Sequence, residues 1–215
     1  MHAAVILLVF MCLMPTTHAD HHHHQQPCHL PNVTGLMTVM DLQDPVKALG
    51  GFTYDSTGNK LRFRSNENFP NASRHLDLLM FFEEGIFYEI NSKNQSCEKK
   101  KLHYNHHALR IPEDAQFLAT MNLGNPSIVG EGLEFSMWEG SVADNTGKYV
   151  ISVTKGCLPV SILYYRKSTT VIFSFMNLES GIKNPEVLEV PSFCGGLSVE
   201  ETSNGTVNSF LDLFM

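Results

Sequence analysis

FTYDSTGNKLRFR, residues 52–64, is the stretch that decides the fold class. Phe52 and Tyr54 alternate with polar residues, Leu61 and Phe63 do the same, and Gly58-Asn59 between them suit a tight turn. On a strand, side chains two positions apart share a face, so these four apolar residues are predicted to line one face of a β-hairpin. The same alternation recurs on either side. Further strands are predicted at Leu36–Asp41, His75–Phe82, Ile86–Ile90, Cys97–Tyr104, Leu133–Trp138, Tyr149–Thr154, Val160–Arg166 and Thr170–Asn177. Roughly ten strands in one chain point to two antiparallel sheets or a barrel.

RHLDLLMFF, residues 74–82, begins with polar and apolar residues in alternation and then becomes apolar on both faces. Such a strand needs a second sheet, a helix or a ligand over it. Fourteen Phe and ten Met supply ample apolar surface, and Met suits an adaptable lining as well as a gap-filled core. Strand facing makes Leu78, Met80, Phe82, Trp138, Phe173 and Phe175 the candidate lining of a ligand cavity, with an ordinary packed core as the plainer reading. A slip of one residue would turn any of these side chains to the other face.

The first 19 residues read as a secretory signal peptide, with an apolar run from Ala3 to Leu13 and small residues at Thr17 and Ala19. That run is shorter than the ~20 residues a membrane-spanning helix needs, and no later segment approaches that length. The sequence therefore divides into a signal peptide (1–19), a His-rich tail (20–27) and a single domain (28–215). Removal of the signal takes Cys12 with it and leaves Cys28, Cys97, Cys157 and Cys194. An even cysteine number in an oxidising compartment favours two disulfides, and spacing alone leaves three pairings open. N-glycosylation sequons stand at Asn32, Asn71, Asn94 and Asn204, while Pro126 disqualifies Asn125.

The formal charge is −7, and the basic residues are scattered apart from Lys99-Lys100-Lys101, which argues against a nucleic-acid groove or a polybasic membrane anchor. The lysine triplet reads as the solvated face or end of a strand. Nine of the eleven histidines lie beyond the signal, and protonating all nine would bring the formal charge to about +2. Plain surface histidines are the simpler reading. If Asp20 is a free N-terminus, His22 is the third residue of an amine–amide–imidazole set that suits Cu(II) or Ni(II), with His21, His23 and His24 adding weaker contacts. A plain polar tail is the alternative, and His103, His106 and His107 read as a solvated loop. No hydrolase, zinc-protease or phosphate-loop motif is present, and Glu83-Glu84, being adjacent, do not form a facing acid/base pair. The chain therefore reads as no enzyme, with no obligatory cofactor.

Several segments together resemble the ependymin family of secreted glycoproteins. They are Phe52–Ser56 with Asn59-Lys60 and Arg62-Phe63; Phe82–Gly85, Tyr88–Ile90 and Ser92–Cys97; Ile111-Pro112 with Asp114-Ala115; Gly156–Ser161; Phe193-Cys194; and Ser209–Phe214. The resemblance implies a mainly β fold of two stacked, curved antiparallel sheets with minor helix, similar to bacterial lipoprotein carriers and enclosing an apolar pocket. It also implies pairing of Cys28 with Cys157 and of Cys97 with Cys194, glycans at Asn71 and Asn94, and a homodimer. Calcium association is implied too, through glycans rather than protein ligands. The histidine groups and Met215 depart from the family pattern and inherit no role from it.

Two functions follow as expectations. One is a secreted, calcium-associated glycoprotein of the extracellular matrix and of cell-matrix adhesion that also binds an apolar, lipid-like ligand between its sheets. The other is a dedicated soluble lipid carrier of the extracellular or endolysosomal space with no adhesion role.

Overall fold

The computed structural model describes residues 26–42, 46–66, 75–102, 109–142, 147–166 and 169–199. The signal segment, His22, Asn71, Asn204, the loop histidines 103, 106 and 107, and residues 209–215 lie outside them.

The chain is mainly β. Its strands are β1 (Val33–Asp41), β2 (Val46–Asp55), β3 (Lys60–Ser65), β4 (Asp77–Phe81), β5 (Ile86–Asn91), β6 (Ser96–Lys101), β7 (Gln116–Gly124), β8 (Gly132–Ser141), β9 (Gly147–Thr154), β10 (Pro159–Arg166) and β11 (Thr169–Ser180). Among the described residues, two short 3-10 turns, Pro185–Leu188 and Ser192–Cys194, are the helical part. The hairpin that opens the sequence argument forms as expected. Phe52 pairs with Phe63 and Tyr54 with Leu61. Asp55 Oδ1 accepts the Thr57 and Gly58 amides at 3.0 Å, and Asn59 takes a positive φ of 48° to complete the turn.

All the described strands belong to one antiparallel sheet of order β6-β5-β4-β3-β2-β1-β11-β10-β9-β8-β7. The sheet is continuous because the first strand pairs with the last, from Val33–Ser180 to Asp41–Val171. The expected two layers are thus two halves of one hydrogen-bonded sheet. It stays open between β6 and β7, which are consecutive in sequence yet occupy opposite edges.

Side chains from one face of β1–β5 and β8–β11 merge into a single buried cluster. Val33, Val39, Leu61, Phe63, Met80 and Phe173 are fully buried there, which an uncovered flat sheet cannot achieve, so the sheet wraps around this inner face. Leu109 and Ile111, from the connection between the two edges, complete the cluster.

β4 is buried along its whole length because each of its faces has its own cover. Leu78 and Met80 enter the inner cluster, whereas Leu79 and Phe81 pack with Tyr88, Ile90, Leu188 and Cys194 in a second, outer cluster. The outer cover is the C-terminal segment. Arg62 holds it down, donating to the Val187 carbonyl at 2.9 Å while paired with Asp77. The Cys97–Cys194 disulfide, with Cα atoms 5.4 Å apart, fastens its end to β6.

β7 is the strand the sequence pattern missed. A bulge between Phe117 and Ala119 breaks the period of two, and the strand is exposed on both faces. Apolar and polar residues alternate only from Ala119 to Leu123, and the adjacent apolar pair Phe117 and Leu118 ahead of them breaks the pattern.

Candidate functional site

Leu78, Met80, Phe82, Trp138, Phe173 and Phe175 all lie in the inner cluster and are 0–7% exposed. They form a packed core: Phe175 meets Phe52 edge to face at 5.4 Å, two strands away. Trp138 has a second role, because it also lines a cleft of about 210 Å³ at the β7 side of the sheet.

Strand lengths create this cleft. β8 pairs with β9 only from Phe135 onward, so Gly132, Leu133 and Glu134 run past the end of β9 with β7 as their sole neighbour among the described strands. The register puts Thr120, Ser136 and Val153 in one row on the inner face, beside the row of Phe117, Trp138 and Ile151. The chain leaves β9 through Lys155, and the Cys28–Cys157 disulfide brings the N-terminal segment alongside, so that Gln26 and Cys28 form the remaining wall.

The polar groups of the walls differ in how they are engaged. Thr120 and Ser136 share a hydrogen bond between their hydroxyls at 3.2 Å, and Thr154 Oγ1 accepts the Leu158 amide at 3.1 Å. Glu134 and Lys155 are exposed at the rim and carry opposite charges. Trp138 is 2% exposed and packs edge to face with Phe117 at 5.4 Å, but its Nε1 has no hydrogen-bond partner. Of the wall residues, sequence reasoning singled out Trp138 and Cys28 only. Phe135 and Val153 aside, the others are polar residues whose convergence depends on strand overhang.

The two edges of the sheet are unlike. On β6, Lys100 reaches inward to Glu89 at 2.9 Å and also meets Glu98, while Lys99 lies over the Tyr88 ring on the other face at 5.7 Å. Burial pulls the Lys100 pKa down, but its hydrogen bonds to Glu98 and Glu89 outweigh this and hold it above the ordinary lysine value. β7 has no charged residue, and Phe117, Leu118, Met121 and Leu123 along it are all exposed.

Two tyrosines flank the connection that crosses between the edges. Burial pushes the Tyr54 hydroxyl up to about 12; Arg110 pulls it back and Asp55 adds to the rise. Burial likewise pushes Tyr149 up to about 12, helped by Asp114. Arg110 and Asp114 thus bring the crossing segment into electrostatic reach of β2 and of β9.

The disulfides are Cys28–Cys157 and Cys97–Cys194, as the resemblance implied. Asn94 sits exposed in the β5–β6 turn, and its Oδ1 accepts the Ser96 hydroxyl at 2.6 Å. Asn32 is half-buried, and its Oδ1 accepts both the amide and the hydroxyl of Ser56 at 2.8 Å. Glu83 and Glu84 are exposed in the β4–β5 turn, ahead of Gly85 with its φ of 63°. Among the described residues, no three His, Cys, Asp or Glu side chains are grouped for a metal ion, and no helix is long and apolar enough to cross a membrane.

A family sequence profile described as Ependymin matches residues 70–194. Ependymin-1 of Oncorhynchus mykiss is 42% identical over 215 residues, covering 99% of this chain and 97% of that protein. Ependymin of Esox lucius is 42% identical over 214 residues, covering 97% of each. Among solved structures, an uncharacterized conserved protein from Thermus thermophilus superposes with a TM-score of 0.50 at 7% identity, covering 80% of this chain and 90% of that one. At that identity the likeness concerns the fold alone.

Proposed function

The chain belongs to the ependymin family, and from that premise we propose that it is a secreted glycoprotein that holds an apolar, lipid-like ligand within its open sheet and makes cell-matrix contacts. It acts by binding and not by catalysis. The observation that carries the reading is the unclosed side of the sheet. There the apolar inner face reaches the β7 edge at Trp138 and Phe117, and Phe117 is 39% exposed. A closed barrel would seal that face, and a polar edge would give an apolar ligand nothing to cross. Calcium association and matrix contact are assigned to the glycans, Asn94 being the exposed attachment site among the described sequons. Endosomal or lysosomal uptake would be a further destination of the same secreted protein.

Native mass spectrometry of the protein secreted by animal cells, after enzymatic deglycosylation and without organic solvent, tests the reading. A discrete excess mass that vanishes on denaturation supports it. A clean apo mass that also refuses added lipid refutes it and leaves the adhesion role alone.

A homodimer forms the second part of the proposal. Leu36, Tyr165 and Met176 are exposed on the central strands, and the β7 edge is uncharged, so a second copy has apolar surface to meet. The same mass measurement distinguishes a dimer from a monomer. A carrier without adhesion is the narrower alternative, distinguished by loss or retention of calcium-dependent attachment to matrix proteins.

A further inference from the structure

Trp138 is the sole tryptophan of the chain. A buried indole N–H ordinarily finds an acceptor, and leaving one unpaired costs about 1–3 kcal/mol. Here the unpaired Nε1 belongs to a side chain that is 2% exposed and lines the cleft, while the neighbouring hydroxyls of Thr120, Ser136 and Thr154 are engaged with protein partners. We infer that the cleft is an end-group site for an uncharged hydrogen-bond acceptor, the carbonyl of an ester or amide, on an otherwise apolar ligand, with Trp138 Nε1 as its donor.

Three features set the ligand class. The cleft of about 210 Å³ is smaller than the ~300–1,000 Å³ of pockets that engulf a whole small molecule, so it takes one end of the ligand. The rim offers one carboxylate, Glu134, and one ammonium, Lys155, so no net charge favours an anionic or a cationic head. The adjoining β7 carries Phe117, Leu118, Met121 and Leu123 exposed and uncharged, a surface suited to the apolar remainder. The inference rests on the carrier reading and adds to it the residue that selects among apolar ligands.

The test compares methyl dodecanoate with dodecane and with dodecanoate on the full mature chain, by titration calorimetry, in wild type and Trp138→Phe. The variant keeps an aromatic ring and removes the N–H. Wild type should bind the ester about tenfold more tightly than the hydrocarbon, the worth of one hydrogen bond. Trp138→Phe should lose this preference and bind the ester and the hydrocarbon alike. In wild type the single indole N–H cross-peak in a heteronuclear NMR spectrum should move with the ester and stay in place with dodecane, a readout that needs no variant. If the variant keeps the ester preference, or the cross-peak ignores bound ester, the donor role fails while the carrier reading stands. Dodecanoate binding well above the ester, lost in Lys155→Met, would overturn the uncharged-head assignment. If wild type binds none of the three probes, the carrier reading falls and this inference with it.

Discussion

Arg62 on β3 and Asp77 on β4, diagonal neighbours across the strand pair, are joined by two parallel hydrogen bonds of 2.8 and 2.9 Å, both side chains 6% exposed. The same guanidinium donates to the Val187 carbonyl at 2.9 Å, so one ion pair ties two strands to the segment that covers them. Removing one partner strands a buried charge. Asp77→Ala should therefore lose about 3–5 kcal/mol, and the double replacement Arg62→Met with Asp77→Leu should recover much of it. Urea unfolding of the two variants against wild type measures both.

The Cys97–Cys194 bridge closes a loop with a sequence separation of 97 residues. By the chain-entropy model such a closure is worth up to about 4–5 kcal/mol. Replacing both cysteines by serine should loosen the C-terminal cover first and expose Leu79, Phe81, Tyr88 and Ile90. The expected outcome is binding of a hydrophobic dye at denaturant concentrations where the inner core is still folded. Near-ultraviolet dichroism of Trp138, which belongs to the inner cluster, serves as the control.

Tyr54 and Tyr149 make the fold alkali-sensitive. Their ordinary pKa is 10.0, and burial raises each to about 12 in the folded chain. Below pH 10 both states keep the protons, and the contribution is fully present. Between about 10 and 12 the unfolded chain gives up protons that the folded chain holds, so stability falls as pH rises. Tyr149→Phe should flatten this fall without changing its onset, as read from unfolding free energies measured across that range.

Asn32 carries a sequon, yet its side-chain carbonyl already holds the β2–β3 turn through Ser56. Thr34→Val removes the sequon and leaves that carbonyl in place, so stability of the deglycosylated protein should change little. Asn32→Leu should cost about 1–3 kcal/mol whether or not a glycan is present, because the Ser56 amide and hydroxyl lose their acceptor. Thermal unfolding of the two variants after deglycosylation separates the effects.

Gly50 lies where β2 passes close to β3. A Cβ there would collide with the Arg64 backbone carbonyl, which cannot swing aside as a side chain could. Gly50→Ala should destabilise by at least ~2 kcal/mol, whereas Gly156→Ala, whose nearest neighbour would stand 3.9 Å away, should be nearly neutral. Denaturant midpoints of the two variants make the comparison.

Most strands were legible because one face of each is buried, and burial writes a period of two into the sequence. Phe52, Tyr54, Leu61 and Phe63 share a face as their spacing demanded, and the six residues chosen for a lining fell together on the inner face. β7 was not legible because its bulge cuts the pattern short. Ala119, Met121 and Leu123 alternate with Thr120 and Asn122, but the adjacent apolar pair Phe117 and Leu118 ahead of them breaks that period, and the strand is exposed on both faces. Apart from Trp138 and Cys28, the cleft residues escaped for a related reason. Thr120, Glu134, Ser136 and Lys155 are ordinary polar residues until an overhanging strand gathers them.

By itself the sequence determined the β class, the hairpin and the shared face of its four apolar residues, the apolar supply of the inner face and, through resemblance, the disulfide partners. These are local or compositional properties, set by alternation, turn chemistry and cysteine inventory. Tertiary structure alone decided that the strands form one sheet closed from β1 to β11 and left open at β7. It also assigned β4 one cover on each face and left unpaired the N–H of Trp138, a residue of the cleft wall. Each of those outcomes depends on which strands meet across more than a hundred residues, a balance of packing and hydrogen bonding that no local pattern records.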